Sequence, residues 1–216
     1  MVGPNQPAVN AGRRYDSSRR RERARLAHDA LLDTALKRFT DDGYAATTID
    51  SIAAAVEVSA ATIYKTYGGK PGIVRALCER ALGGRGPVPA EQRSDRLRVT
   101  TTNPREVIEG WGRLTAEVAP RVAPILLLLR DAASGDAAAA ALHDELDSNR
   151  LRRMTENARF LVENGHVRTG IGLAHARDVL WTYSSPELFD LLVRRRRWSL
   201  TRYSEFVADA IAAALL

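Results

Sequence analysis

The chain has 216 residues, 45% of them hydrophobic, with 32 basic against 26 acidic side chains and a formal charge of +6. That length supports a sizeable core in one or two domains, and a lone cysteine, Cys78, excludes an intrachain disulfide or a cysteine-cluster metal site. No apolar run reaches the ~18 residues of a membrane span and the N-terminus lacks the apolar segment of a secretory signal, so a cytoplasmic protein with no membrane partner is expected.

Residues 1–23 carry Gly3, Pro4, Pro7 and Gly12 and then Arg13, Arg14, Arg19, Arg20, Arg21 and Arg23. They are expected to form a disordered arm. Its six arginines against Asp16 and Glu22 leave a net +4, a charge that attracts phosphate and suits insertion into a minor groove. Taken alone, such a run is more often a flexible, solvated leader.

From residue 24 the pattern turns helical. Leu32, Ala35, Leu36 and Phe39 follow the i, i+3, i+4, i+7 spacing, and so do Ile49, Ile52, Ala53 and Val56. Asp41, Asp42 and Gly43 supply turn chemistry between the two, and Thr47 or Thr48 offers a hydroxyl cap to the second. Only Glu57 and Val58 then precede Ser59, another N-cap. Helices over 24–41, 48–56, 60–66 and 70–82 are predicted, and the short connection makes residues 48–67 a helix-turn-helix.

The third helix is the one fitted to read a groove. Small Ala60 and Ala61 allow close approach, and Thr62 and Lys65 can reach base edges. Ser59 and Thr66 lie on the same element, while Thr47, Thr48, Tyr64, Tyr67 and Lys70 are the candidate phosphate contacts. Lys70 precedes Pro71, which suits the first turn of a new helix whose N-terminus favours anions.

Gly83, Gly84, Gly86, Pro87 and Pro89 mark a composition break, and residues 83–102 are expected to be linker and loop. A second helical domain over 103–216 begins at Asn103, a cap before Pro104, and includes Trp111 and Leu114. A short helix at 124–133, a long one at 136–164 and three more at 172–184, 186–195 and 199–215 follow. Nothing alternates like a strand, so the expected fold is all-α.

These elements resemble the TetR family of bacterial transcriptional regulators, in a form common in actinobacteria. The resemblance rests on Gly43-Tyr44, Thr47-Thr48-Ile49, Ile52-Ala53, Val58-Ser59, Ile63-Tyr64, Tyr67 and Lys70, and extends more weakly over residues 24–216. Where the family commonly has glycine in the turn, this chain has Glu57. The resemblance implies an N-terminal three-helix DNA-binding domain and a C-terminal domain for ligand binding and dimerisation. It implies a homodimer on a palindromic double-stranded operator, released as a repressor by a small-molecule effector.

Two sets of residues are expected to serve that second domain. Tyr203, Phe206, Val207, Ala210, Ile211 and Ala214 form a wide apolar face that, with Leu173, Ala176, Leu180 and Tyr183, would make the dimer interface. The same stripes also read as internal core. Trp111, Leu127, Leu128, Met154, Phe160, Trp181 and Phe189 are the pocket candidates, with Arg121, Arg130 and Arg153 as anchors for an anionic group.

Enzymatic readings find little to stand on. His28, His143, His166 and His175 have no metal-ligand spacing, and Gly68-Gly69-Lys70 lacks the strand and downstream hydroxyl of a phosphate loop. No catalytic residue, metal or cofactor is expected. An activator, or a DNA-binding regulator without an effector, remains the alternative.

Overall fold

The computed structural model describes the backbone from Asn10 onward and side chains from Arg19. Residues 1–9 of the basic arm lie outside the described residues, as do the side chains of Arg13 and Arg14. Every regular element among the described residues is helical.

Helix α1 (Asn10–Asp41), α2 (Ile49–Ala55), α3 (Ala60–Tyr67) and α4 (Lys70–Leu82) form the N-terminal unit. The expectation of a disordered arm is corrected for residues 10–23, which continue α1 outward. The rest follows the apolar spacing closely. Leu32, Ala35 and Phe39 of α1 meet Ile52 of α2, Ile63 of α3, and Ile73, Val74 and Leu77 of α4 in one core, with Cys78 beside them. Burial pushes the Cys78 thiol up to about 12, which keeps it protonated and inert.

Two expectations for the following stretch are overturned. Residues 90–100, read as loop, are helix α5 (Ala90–Thr100). It has no apolar stripe because polar contacts hold it: Asp95 pairs with Arg153 at 2.6 Å and Arg93 with Glu117 at 2.6 Å. The short helix expected at 124–133 is the end of a single α6 (Pro104–Ala132) that runs through Pro120 and Pro124. Each proline costs one amide donor and crowds the preceding turn. Here α6 is packed by α4, α5, α7, α9 and α10, and that enclosure outweighs the two lost hydrogen bonds.

Helix α7 (Ala137–Glu163) starts from an Asp136 cap whose carboxylate accepts from the Ala138 and Ala139 amides at 2.9 and 3.0 Å. Helices α8 (Leu173–Tyr183) and α9 (Pro186–Phe189) follow, α9 passing into a π-helical turn over Asp190–Arg195 before α10 (Leu200–Leu215). The four arginines 194–197 sit at the end of that turn. Asp190 accepts from Arg194 at 3.1 Å and Arg195 at 2.7 Å.

Helix α6 belongs to two cores. Its C-terminal half gives Val122, Ile125 and Leu129 to the core of α1–α4, joined by Ala139 and Leu142 of α7. Its N-terminal half gives Val107, Ile108 and Trp111 to a second core with Leu161, Leu180, Tyr203, Val207 and Ile211. A single rigid helix therefore spans both.

Candidate nucleic-acid interface and regulatory core

The turn between α2 and α3 is built by hydrogen bonds. Thr48 Oγ1 accepts from the Ser51 amide at 3.0 Å and Ser51 Oγ from the Thr48 amide at 3.3 Å, a reciprocal cap that starts α2. At its far end the Val58 amide reaches back to the Ala53 carbonyl at 3.0 Å and the Glu57 amide to Ala54 at 3.4 Å. That is the Schellman closure, and it places Glu57 in the left-handed region at φ 55°. The turn keeps the geometry a glycine would favour and accepts the strain.

Ser59 then caps α3, accepting from the Thr62 amide at 3.1 Å. With Ile63 fully buried, Ala61, Thr62, Tyr64, Lys65 and Thr66 all face solvent, and Ala60 and Tyr67 are half-buried at the edges. Tyr64 is 56% exposed, unusual for an aromatic ring with no internal partner to meet. The hydroxyls are already oriented: Thr62 Oγ1 lies 2.8 Å from Ser59 Oγ, and Thr66 Oγ1 donates to the Thr62 carbonyl at 2.9 Å. The result is a short, small-faced, cation-bearing surface.

Two of the expected phosphate contacts have partners inside the domain. Thr47 is buried and its hydroxyl donates to the Gly43 carbonyl at 2.8 Å. Lys70 is half-buried; its ammonium donates to the Tyr44 carbonyl at 2.9 Å and stands 4.4 Å from the centre of the Tyr44 ring. It locks α4 to the turn after α1. Sequence reading also passed over Gly72, where a Cβ would fall 1.6 Å from the Tyr67 carbonyl oxygen. Only glycine lets α4 approach the end of α3 that closely.

The link between the two halves centres on Glu117 of α6. Its carboxylate accepts from Arg93 Nη1 at 2.8 Å and Nη2 at 2.6 Å and from the Arg85 amide at 2.5 Å. Arg121, one turn on, donates to the Gly84 carbonyl at 2.9 Å. Gly84 has φ +78°, and a Cβ there would meet Glu117 Oε1 at 2.8 Å. The Arg93 hydrogen bonds, with the Arg85 amide, hold the Glu117 carboxyl down at about 2. A clasp of fixed charges thus fastens residues 84–93 to α6.

The expected ligand set does not gather around one opening. Trp111 and Phe160 pack edge to face at 6.4 Å, and Phe189 meets Tyr203 at 5.6 Å inside the second core, which Met154 borders. Leu127 is buried and Leu128 packs on the first core instead. Trp181 lies under the Arg150 guanidinium at 4.5 Å. Arg121 serves the clasp, and Arg130 is exposed and paired with Asp131 at 2.8 Å and Glu187 at 3.0 Å. Arg153 is taken up by Asp95, and none of the ten lines the open cleft of about 640 Å³ that lies along Arg113, Ala116 and Glu117 of α6 and Leu200, Ser204 and Ala208 of α10.

The dimerisation set divides. Ala176, Leu180, Tyr203, Val207 and Ile211 are buried within the chain itself, so for them the internal-core alternative holds. Ala210 and Ala214 are half-buried. Tyr183 is half-buried too, whereas Leu173 and Phe206 are exposed, and Phe206 lies edge-on between Tyr183 at 6.3 Å and Trp198 at 5.4 Å, with Arg202 over Trp198 at 3.8 Å. Trp198 and Arg202 escaped the periodicity argument because they join the patch from outside the stripe.

Residues 31–77 match the family model described as bacterial regulatory proteins, tetR family. This chain carries a TetR-family DNA-binding domain. Its fold extends the likeness beyond that segment. A structure of a TetR-family transcriptional regulator from Syntrophomonas wolfei superposes with TM-score 0.69 at 18% identity, covering 88% of this chain and 96% of that one. SmeT, in complex with triclosan, gives 0.67 at 20% identity with 88% and 92% covered. The fatty acid degradation regulator FadR from Bacillus halodurans gives 0.68 at 18% identity with 86% and 94% covered. A search of curated protein sequences finds no match. The TetR-type head makes the chain a DNA-binding transcriptional regulator. No described helix is long and apolar enough to cross a membrane.

Proposed function

We propose that the chain works as a homodimeric repressor, holding a palindromic operator through two copies of α3 and leaving it when a small molecule binds the second domain. The observation that carries this is the exposed face of α3, where Ala61, Thr62, Tyr64, Lys65 and Thr66 surround the buried Ile63. Ala60, Ala61, Thr62 and Lys65 are assigned to base edges and Thr48, Tyr64 and Tyr67 to phosphates. One such helix makes few base contacts, so two copies about one DNA turn apart, roughly 34 Å, supply the missing specificity.

Exposed Phe206, flanked by the half-buried rings of Tyr183 and Trp198, supports the dimer reading, since large apolar groups gathered at a surface mark association. The effector reading rests on likeness of fold: SmeT, 20% identical, is seen in a complex with triclosan.

The test is selection of bound duplexes from a random pool, followed by sizing of the complex. A palindromic winner bound by two protomers supports the proposal. Sequence-blind binding by a single protomer would reject it.

A further inference from the structure

Where α6 crosses α10 the two helices approach closely. Gly112 sits at the contact, and a Cβ there would fall 2.7 Å from the Ser204 carbonyl oxygen and 3.1 Å from the Ala208 methyl. Buried Ala116 and Ala208 continue this small-residue floor, so the longer side chains to either side stand up as walls. The open cleft between them, about 640 Å³, has the volume of a small-molecule site.

Its two ends differ in charge. The helices run antiparallel there: Arg105, near the start of α6, pairs with Asp209, near the end of α10, at 2.7 Å, while Gly112 meets Ser204. At that end Glu109, Glu205 and Asp209 border the cleft, and Arg105, which also reaches Glu109 at 3.4 Å, is the cation among them. At the other end lie Arg85 and the first turn of α10, Leu200 and Thr201, with Arg113 in between. Glu117 adds no available charge here, because its carboxylate is taken by Arg93 at 2.6 and 2.8 Å and by the Arg85 amide at 2.5 Å.

Three of the bordering groups are unpaired. Among the described residues no ion pair or side-chain hydrogen bond engages the guanidinium of Arg85 or Arg113, or the carboxylate of Glu205. Two guanidiniums beside a helix N-terminus suit an anion; the carboxylate end suits a cation. A dianion would meet carboxylates at one end and a polyamine would meet arginines at the other. The charges also set a length: from Glu109 to Glu117 α6 rises about 12 Å, and an extended chain advances about 3.5 Å per residue.

We propose that this cleft binds a short linear zwitterion of tripeptide size, its carboxylate held by Arg85 and Arg113 and its ammonium by Glu109, Glu205 and Asp209. The site lies outside the apolar core of the second domain. Arg85 belongs to the segment that joins α4 to α5, so an occupant held by Arg85 and Arg113 together ties that segment to α6 a second time, beside the clasp. The consequence at DNA, though not the binding itself, rests on the effector reading.

The test is calorimetric titration of the full chain, without DNA, with di-, tri- and tetra-alanine and with trialanine acetylated at its amine or amidated at its carboxyl. Trialanine should bind, and each cap should weaken it about tenfold or more, the effect of losing one charged hydrogen-bonding partner. Arg85→Gln and Arg113→Gln should each weaken trialanine severalfold and hardly alter the amidated form, whereas Glu205→Gln should weaken trialanine and hardly alter the acetylated form. The unliganded variants should keep the wild-type Tm, since the replaced side chains have no internal partner. Absence of binding by all three peptides at about 10 mM, or binding indifferent to the caps and to all three substitutions, would overturn the site. An operator duplex selected from a random pool separates the two readings. Trialanine that binds yet leaves operator affinity unchanged would reject an effector role for this cleft and leave the site standing. Operator release by another small molecule, undiminished in Arg113→Gln while no peptide binds, would overturn the site and leave the effector reading standing.

Discussion

Glu57 shows how one side chain is overruled by its neighbours. The Val58 and Glu57 amides close the end of α2 on Ala53 and Ala54, and that closure dictates φ 55° whatever residue stands there. A left-handed conformation costs a residue with a Cβ about 1 kcal/mol or more, and glycine carries no such cost. Glu57→Gly should therefore stabilise the chain by about 1 kcal/mol, a rise of roughly 2–4 °C in Tm for a protein of this size. DNA affinity should stay the same or improve, because the pose of α3 is unaltered. A Tm that drops in differential scanning calorimetry would mean that the Glu57 side chain contributes something its exposure does not reveal.

Among the elements, those with a strong apolar period were legible from sequence and those without were not. Helices α2, α3 and α4 begin and end where caps and spacing place them, because local chemistry and the shared core agree. The same period misled at α10, since Tyr203, Val207 and Ile211 satisfy it equally as core or as interface. Helix α5 was missed because its bonds are ion pairs to Arg153 and Glu117, which leave no periodic trace. The prolines of α6 suggested a break that packing from the surrounding helices prevents. In the candidate site the solvent face of α3 is legible from the buried position of Ile63, while the contact of Lys70 with Tyr44 is not, because only the folded chain brings the two together. That difference can be measured. Lys65→Ala should weaken DNA binding with Tm unchanged, whereas Lys70→Ala should lose about 1–2 kcal/mol of stability through its cation–π contact and hydrogen bond. Equal Tm values for the two variants would return Lys70 to the phosphate-contact role.

For the molecule as a whole, the question is how a change in the second domain reaches α3. Helix α6 contributes to both cores and carries Glu117, which grips residues 84–93 just after α4. A ligand that shifts α6 must therefore either drag that segment with it or break the clasp, and by mass action it stabilises whichever arrangement it binds better. Glu117→Gln weakens the clasp without touching the reading face. Because the Glu117 carboxyl is depressed to about 2 by Arg93 and the Arg85 amide, its contribution is present above the ordinary carboxylate range and is lost as pH falls from about 4.5 towards 2. At neutral pH the variant should be less stable by about 2 kcal/mol, the cost of a charged hydrogen-bonding partner removed. The gap should narrow steadily as wild type is acidified through that window. Operator affinity should fall about tenfold with sequence preference unchanged, as expected if the head is less firmly oriented rather than remade. Unfolding curves of both chains between pH 2 and 7 provide the check: a gap that stays constant across the window would mean that the Glu117 charge takes no part in joining the two halves.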